Sequence, residues 1–570
     1  MTDVIITPNP DGRSAELSGR LGPDIYELSR ELPGRKRWQG RALLFELSRA
    51  NVDMVREKLP LAVWKDPKRL EDILQLEQVE ADARAAKGRP PPAEASAFRY
   101  KTAPREHQRQ AFLLARDRGA FGFFLEQGLG KTKVVLDEAA YLYANGAVDT
   151  LLVIAPNGVH AQWLEEQAPE HLPDWVPRKG FVYRSNWTQA RRKQCEELFT
   201  YHEGLRIFCV HQDALAVASG ISFVERVLFS SEKVMWVIDE SLCIKTPGAK
   251  RTKTALKLRD RAPVRRILTG TPVGKGVEDL YTQLRFLSDD VHGFTSFYTF
   301  RNRYCVTQPV PGAPAGAVKI VGYKNLQELK ERMDAWTVRF TAADCLDLPE
   351  RIYQERRVEM TEEQARMYAQ LKEELLTQLD SGEIATADLA VVRLLRLQQI
   401  LSGHIKDENG LLLPVKTLRP AAVMEIAEQT GPKLLVWARF HHDIELLRAT
   451  FKHWNPVVWY GPTSQDDRKA AKERFINDPE CGPFIANPTS AGIGLDGLQK
   501  VCHTMCYYNN DFSATTRAQS EARLYRDGQR GTVNVIDLVV PNSIDGYILR
   551  AHKRKKDIAA EALSLRRDDI

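Results

Sequence analysis

Apolar residues in this chain gather into runs of strand length, separated by stretches whose apolar positions recur at helical spacing. From about residue 97 such runs lie at Ala120–Leu125, Thr150–Ala155, Val234–Ile238 and Arg266–Leu268, with helical patterns between them. A short continuous apolar run suits a strand buried on both faces, and strand–helix alternation predicts a parallel sheet covered on either side. The alternation breaks between about Tyr281 and Leu348, an aromatic-rich stretch with a Gly/Pro loop at Pro309–Gly316. Helical patterning follows at Glu362–Gln378 and Thr386–Leu401. A second alternation then places strands at Lys433–Ala438, Pro456–Trp459, Pro483–Ala486, Val501–Tyr508 and Val533–Val539. The pattern predicts an α/β protein of two similar lobes, and the cleft between two lobes is a natural ligand site.

Upstream, residues 1 to about 78 have apolar positions of their own, among them Leu43, Leu44, Phe45, Val55, Leu59 and Trp64. They lead to the stiff, solvated run Lys87-Gly88-Arg89-Pro90-Pro91-Pro92. The expected domains are a small N-terminal domain with its linker (1–95), a first lobe (96–290), helical protrusions with an inter-lobe linker (291–420), and a second lobe with a C-terminal helix (421–570). In the first domain, Arg35, Lys36 and Arg37 precede Trp38, a combination that can hold a phosphate backbone and stack on a base. A packing domain with a basic surface is an equal reading of the same residues.

Composition narrows the class but not the function. With 43% hydrophobic and 27% charged residues, the 570-residue chain reads as an ordinary globular protein. No apolar run approaches the roughly 20 residues of a membrane span, so no membrane partner is expected. Met1-Thr2-Asp3-Val4 lacks the basic start of a secretory signal, and eight scattered cysteines suggest a reducing compartment. The net charge of +6 permits a nucleic-acid partner without requiring one. Cys502, His503 and Cys506 read as part of a buried strand, because no second ligand pair stands at zinc spacing. The basic run from Lys250 to Arg261 fits a DNA path and a solvated helix face equally.

Chemistry enters at Leu125-Glu126-Gln127-Gly128-Leu129-Gly130-Lys131-Thr132, between a predicted strand and a predicted helix. Glycines at 128 and 130 let backbone N–H groups close around phosphate oxygens at a helix N-terminus. Lys131 would reach the β- and γ-phosphates and the Thr132 hydroxyl would ligate Mg²⁺, although Leu125 stands where the strict motif has glycine. A second predicted strand delivers Asp239 and Glu240 to its C-terminal end. There Asp239 can hold Mg²⁺ and Glu240 can activate the attacking water. The two strands are expected to be neighbours in one sheet.

These residues, in this order, resemble the Swi/Snf-type ATPases of helicase superfamily two, over residues 99 to 556. His107-Gln108 resembles the adenine-reading motif, and Ala155-Pro156 with Gln162-Trp163 the motif that follows the phosphate loop. Asp239-Glu240-Ser241 with Lys245 resembles the acidic box, and Thr269-Gly270-Thr271-Pro272 with Asp279 the coupling motif. Ser490, Gly494 and Asp496 belong to a stretch like the glycine-rich motif of the second lobe, and Gln519, Arg523 and Arg526 to one like its arginine motif. Asp496 stands where the family usually has asparagine.

The resemblance implies two RecA-like lobes with ATP and Mg²⁺ between them. The nucleotide set would be Gln108, Gly128, Leu129, Gly130, Lys131, Thr132, Gly494 and Asp496, with Thr132 and Asp239 on the metal. Lys131, Asp239, Glu240, Gln519, Arg523 and Arg526 would be catalytic, while Lys245, Thr269, Thr271 and Ser490 would couple to nucleic acid. Arg523 and Arg526, spaced i, i+3, would share one helix face, from which an opposing lobe can stabilise phosphoryl charge when the cleft closes. The resemblance, strongest to bacterial and phage members, implies a cytoplasmic DNA-dependent ATPase on double-stranded or branched DNA, with single-stranded DNA as a further partner. A strand-separating helicase for DNA or RNA and a catalytically silent DNA-binding scaffold stand beside it.

Overall fold

The computed structural model describes residues 98–550 except 158, 185–186, 310–317, 381–386, 407–409, 492–494 and 511–512. It also describes His552 and, in the N-terminal part, 4–8, 14–19, 25–26, 28–29, 32, 36–40, 42–46, 49–60, 62–67 and 70. The chain divides into two compact units, Met1–Pro92 and Ala93–Ile570. The expected linker Lys87–Pro92 and the basic tail Lys553–Lys556 lie outside the described residues.

The N-terminal unit is a five-stranded sheet, built from β1 (Val4–Pro8), β2 (Ser14–Gly19), β3 (Lys36–Gln39), β4 (Ala42–Glu46) and β5 (Val63–Trp64) in the order β3-β4-β2-β1-β5. Alternation sets its core, since Val4, Ile6, Ala15, Leu17, Leu43 and Phe45 point inward and pack with Val52 and Val55 of the helix Arg49–Lys58. Trp38, 39% exposed, stacks on Tyr26 with ring centroids 5.1 Å apart. Arg35 and the side chains of Lys36 and Arg37 lie outside the described residues.

The second unit contains both α/β lobes. In the first, β6 (Ala120–Leu125), β7 (Thr150–Ala155), β8 (Arg178–Val182), β9 (Leu205–His211), β10 (Val234–Asp239) and β11 (Val264–Leu268) form a parallel sheet. After a hairpin of β12 (Cys305–Pro309) and β13 (Val318–Tyr323), β14 (Thr337–Phe340) returns to pair with β6, giving the order β14-β6-β11-β10-β7-β9-β8. Both faces are covered. Trp236 and Ile238 pack into one apolar cluster, and Met235 and Val237 of the same strand pack into the other. The second lobe is also a parallel sheet. It is built from β15 (Arg351–Arg357), then, after the small hairpin β16 (His404–Lys406) and β17 (Leu412–Pro414), from β18 (Leu434–Trp437), β19 (Val457–Trp459), β20 (Phe484–Ala486), β21 (Thr504–Tyr507) and β22 (Val533–Val539), ordered β15-β22-β21-β18-β20-β19.

Six strands, β12 to β17, fall within 291–420, where the sequence predicts only helical protrusions, and two of them join the lobe sheets. β14 completes the first sheet and β15 closes the second. β15, with the sequence RIYQERR, is exposed over most of its length. An edge strand covered on one side at most needs no apolar run, so its pattern carries no strand signal. The helices Glu362–Asp380 and Ala387–Ser402 lie at the expected places.

Candidate functional site

The loop after β6 turns into the helix Lys131–Ala144 through two left-handed glycines, Gly128 at φ 82° and Gly130 at φ 76°. At Gly130 a Cβ would stand 2.2 Å from Gln108 Nε2, so a side chain there would displace the Gln108 amide and strain the left-handed backbone. Gln108 is used at both ends: its Oε1 accepts from the Arg105 backbone N–H at 2.9 Å, and its Nε2 donates to the Leu129 carbonyl at 3.1 Å. The expected adenine-reading residue therefore also braces the phosphate loop. A cavity of about 420 Å³ opens beside it, lined by Arg105, His107, Gln110, Phe340 and Asp344 among others.

Lys131 is buried, and its ammonium donates to the carbonyls of Leu125 (3.0 Å) and Glu126 (3.4 Å). Burial lowers its pKa; Glu240 and Asp239 oppose that shift, while Arg523 and Arg526 add to it. Thr132 follows at the second helical position, half-buried. The helix is pinned from behind by Glu138, whose carboxylate forms a fully buried ion pair with Arg266 of β11. Removing either partner would strand a buried charge, at a cost of about 3–5 kcal/mol.

The acidic pair sits at the end of β10. The phosphate-loop strand and β10 are not the neighbours that the sequence predicts, because β11 lies between them. This places Thr269, just past the end of β11, between loop and acids, where its hydroxyl donates to Glu240 Oε2 at 3.2 Å. Gln127 Nε2 donates to the other oxygen of Glu240 at 2.8 Å. Glu240 itself has φ 49°, an uncommon conformation for a residue with a side chain. The Asp239 carboxylate accepts from Trp163 Nε1 (3.0 Å) and from the Glu240 backbone N–H (3.0 Å). Burial, together with neighbouring Glu240, pushes its pKa up to about 6. Trp163 is a positioning residue that residue-type reasoning alone misses; only the resemblance marked it.

Lys245 and Thr271 extend this network. Ser241 Oγ donates to Gln283 Oε1 (2.7 Å), whose Nε2 donates to the Pro272 and Asp279 carbonyls. Lys245 pairs with Asp279 at 3.4 Å, and the Thr271 backbone N–H donates to Thr269 Oγ1 at 3.1 Å. The Thr271 hydroxyl is buried without a partner. Ser490 stands apart on the short helix Pro488–Ala491, where its backbone N–H donates to Asn487 Oδ1 at 3.1 Å.

From the second lobe come the arginines, but not from a helix. The helix Ala514–Glu521 ends before Arg523, so Arg523 and Arg526 lie in the turns that follow and share no helix face. They converge instead through one acceptor: Arg523 Nη1 lies 3.1 Å from Asp496 Oδ1, and Arg526 Nη1 pairs with the same oxygen. Arg523 also donates to the carbonyl of half-buried Gln519 at 3.2 Å. Burial pushes the Arg523 pKa down to about 10, against the pull of Asp496. Burial works to raise the Asp496 pKa, but the two guanidiniums outweigh it and hold the carboxyl below its ordinary value. Arg526 packs on the phosphate loop, with its Cβ 3.2 Å from where a Gly128 Cβ would stand, and its Nε is buried without a partner. Arg105 and Asp527 form a further ion pair across the lobes at 2.6 Å. Gly494 lies outside the described residues.

Residues 107–406 match the family described as an SNF2-related domain. The chain is 24% identical over 456 residues to a DNA annealing helicase and endonuclease of Homo sapiens, a match covering 78% of this chain and 39% of that protein. It is 22% identical to a CHD3-type chromatin-remodeling factor of Arabidopsis thaliana, over 75% of this chain and 34% of that protein. The chain thus spans about a third to two-fifths of the length of these curated relatives. A protein of Acyrthosiphon pisum secondary endosymbiont phage 1 is 24% identical, over 76% of this chain and 93% of its own length. Among solved structures, the Sulfolobus solfataricus SWI2/SNF2 ATPase core in complex with dsDNA matches 83% of this chain and 97% of its own, at 24% identity and a TM-score of 0.36.

Proposed function

The chain belongs to the SNF2-related family, and we propose that it is an ATP-hydrolysing motor coupling turnover to translocation on, or remodelling of, double-stranded or branched DNA. The observation that carries this reading is the meeting of unlike groups from two lobes: Lys131, Asp239 and Glu240 on one side, Arg523 and Arg526 on the other, with Arg526 packed on Gly128.

The residues present fit ATP with Mg²⁺. Lys131 bonds neutral carbonyls, and two guanidiniums share one carboxylate oxygen, so three cations stand where phosphate oxygens could take them. Asp239 and Glu240 are adjacent carboxylates in a buried setting, which a divalent cation would neutralise. When bound, Mg·ATP supplies the scissile phosphoanhydride and a cation on its oxygens. Thr132 and Asp239 would hold the metal, with Trp163 keeping the Asp239 carboxylate oriented. Lys131 exchanges its loop carbonyls for phosphate oxygens. Glu240, steadied on separate oxygens by Gln127 and Thr269, orients the attacking water and accepts its proton. Arg523 and Arg526 stabilise the charge that spreads over the transferred phosphoryl group. The bonded path Glu240–Thr269–Thr271, with Ser241–Gln283–Asp279–Lys245 beside it, gives DNA bound near Lys245 a physical route to Glu240.

ATP turnover by the purified full chain, measured alone and with blunt duplex, forked DNA, single-stranded DNA and RNA, tests this reading. Stimulation by duplex or forked DNA is expected. Stimulation by RNA alone would replace the proposal with an RNA helicase, and no turnover under any condition would leave a binding scaffold.

A further inference from the structure

We infer that the hairpin β12–β13, with the helix Phe297–Tyr304 that leads into it, is a DNA-contacting arm that engages unpaired bases beside the duplex. This inference rests on the proposed motor function and adds a contact surface to it.

The hairpin belongs to neither lobe sheet. Two strands alone are marginal in water, so something must hold them. Their root is buried through Cys305 and Tyr304, while Tyr323 packs at the edge of the first-lobe core. A Cβ on Gly276 would stand 2.1 Å from the Tyr323 hydroxyl, so the root is seated on the segment that runs from the coupling motif to Asp279. The preceding helix is seated there too: the Tyr281 ring lies 5.5 Å from Phe297 and 5.4 Å from Phe300. Tyr281 and Gln283, which bonds Ser241 next to Glu240, stand on the same helix, Leu280–Leu287.

Beyond that root the arm is exposed in a way that suits nucleic acid. Val306 is 41% exposed, and Val321, the extra residue at the register shift between Val306 and Thr307, is 46% exposed. Tyr298, 67% exposed, carries the Arg301 guanidinium over its ring at 5.3 Å, with the Arg301 Nε buried beneath and without a hydrogen-bond partner. From Phe297 to Lys324 the sequence contains Arg301, Arg303, Lys319 and Lys324 and no carboxylate, although Arg303 is held by Glu328. An exposed aromatic with a cation on its face, apolar strand positions and a charge of one sign match a polyanion whose bases can stack. A protein partner of ordinary composition gives no reason for the missing acids.

The test compares the full-length wild type with Tyr298→Ala, Val321→Glu and Lys319→Glu, all at exposed positions. Affinity for blunt duplex and for forked DNA is measured by fluorescence anisotropy at several salt concentrations, and ATP turnover with and without each DNA. Forked DNA should bind about tenfold more weakly to Tyr298→Ala and Val321→Glu, with a smaller loss for blunt duplex. Lys319→Glu should flatten the salt dependence on both. Turnover without DNA should stay at the wild-type level while stimulation by forked DNA falls. Variants that match the wild type on both DNAs overturn the inference and leave the motor reading intact. Loss of DNA-free turnover overturns it too, by showing a structural role. A wild type that binds no DNA overturns both readings.

Discussion

The two lobes share a parallel-sheet plan but prepare their charged groups in opposite ways. In the first lobe the three charged working groups already have protein partners: Lys131 its loop carbonyls, Asp239 the Trp163 indole, Glu240 both Gln127 and Thr269. In the second lobe two arginines follow the end of a helix and share the single carboxylate of Asp496 as counter-ion. The first side is a preorganised receptor; the second is a cationic reserve held by a counter-ion. Preorganised dipoles act without rearrangement, whereas a counter-ion must give way to its competitor, so catalytic control should lie with the second lobe.

Breaking the receptor should have the largest effect. Lys131→Ala is expected to reduce ATP turnover to below about 10⁻³ of wild type without unfolding the chain, as circular dichroism and turnover on the same sample would show. Near-normal turnover would mean that the phosphate site lies elsewhere. Arg526→Ala should lower turnover by about 10³–10⁵-fold while nucleotide affinity changes only a few-fold, and Arg523→Ala should act in the same direction. A solvated basic face would instead show normal turnover with weaker, salt-sensitive DNA binding.

Smaller changes sharpen the contrast. Glu240→Gln should keep nucleotide binding and slow hydrolysis by about 10²–10⁴-fold, which equilibrium binding and steady-state turnover separate. Asp496→Asn removes the charge that competes with phosphate for both arginines and should tighten nucleotide binding by up to about tenfold. A weaker affinity would show that Asp496 aims the arginines.

The least effect concerns stability. Asp239 has a pKa raised to about 6 by burial and by Glu240, so the folded protein holds its proton at a pH where the unfolded chain has lost it. Its contribution is neutral well below pH 4; the destabilisation builds between about pH 4 and 6 and is complete above 6, at on the order of 3 kcal/mol. The melting temperature of the wild type should therefore fall more between pH 4 and pH 8 than that of Asp239→Asn, in the absence of nucleotide and metal.

Much of this was written locally. Strands such as Ala120–Leu125 and Leu434–Trp437 are covered on both faces and are apolar throughout, so their positions follow from the order of residue types alone. The phosphate loop is equally local, because its glycines, lysine and following helix act within about ten residues. β15 escaped because an edge strand can be polar, and the helical spacing of Arg523 and Arg526 misled because the helix stops at Glu521. Trp163 and Thr269 could not have been assigned by residue type, since an indole or a hydroxyl has no distinctive chemistry until a carboxylate is placed beside it. The order of residues thus determined the two-lobe α/β plan, the phosphate loop and the acidic pair, all short-range patterns. Only the tertiary structure decided that β11 separates loop from acids, that Asp496 binds both arginines, and that the hairpin root sits on the coupling segment. Those depend on strand order and loop packing, which join residues tens to more than a hundred positions apart and leave no period in the sequence.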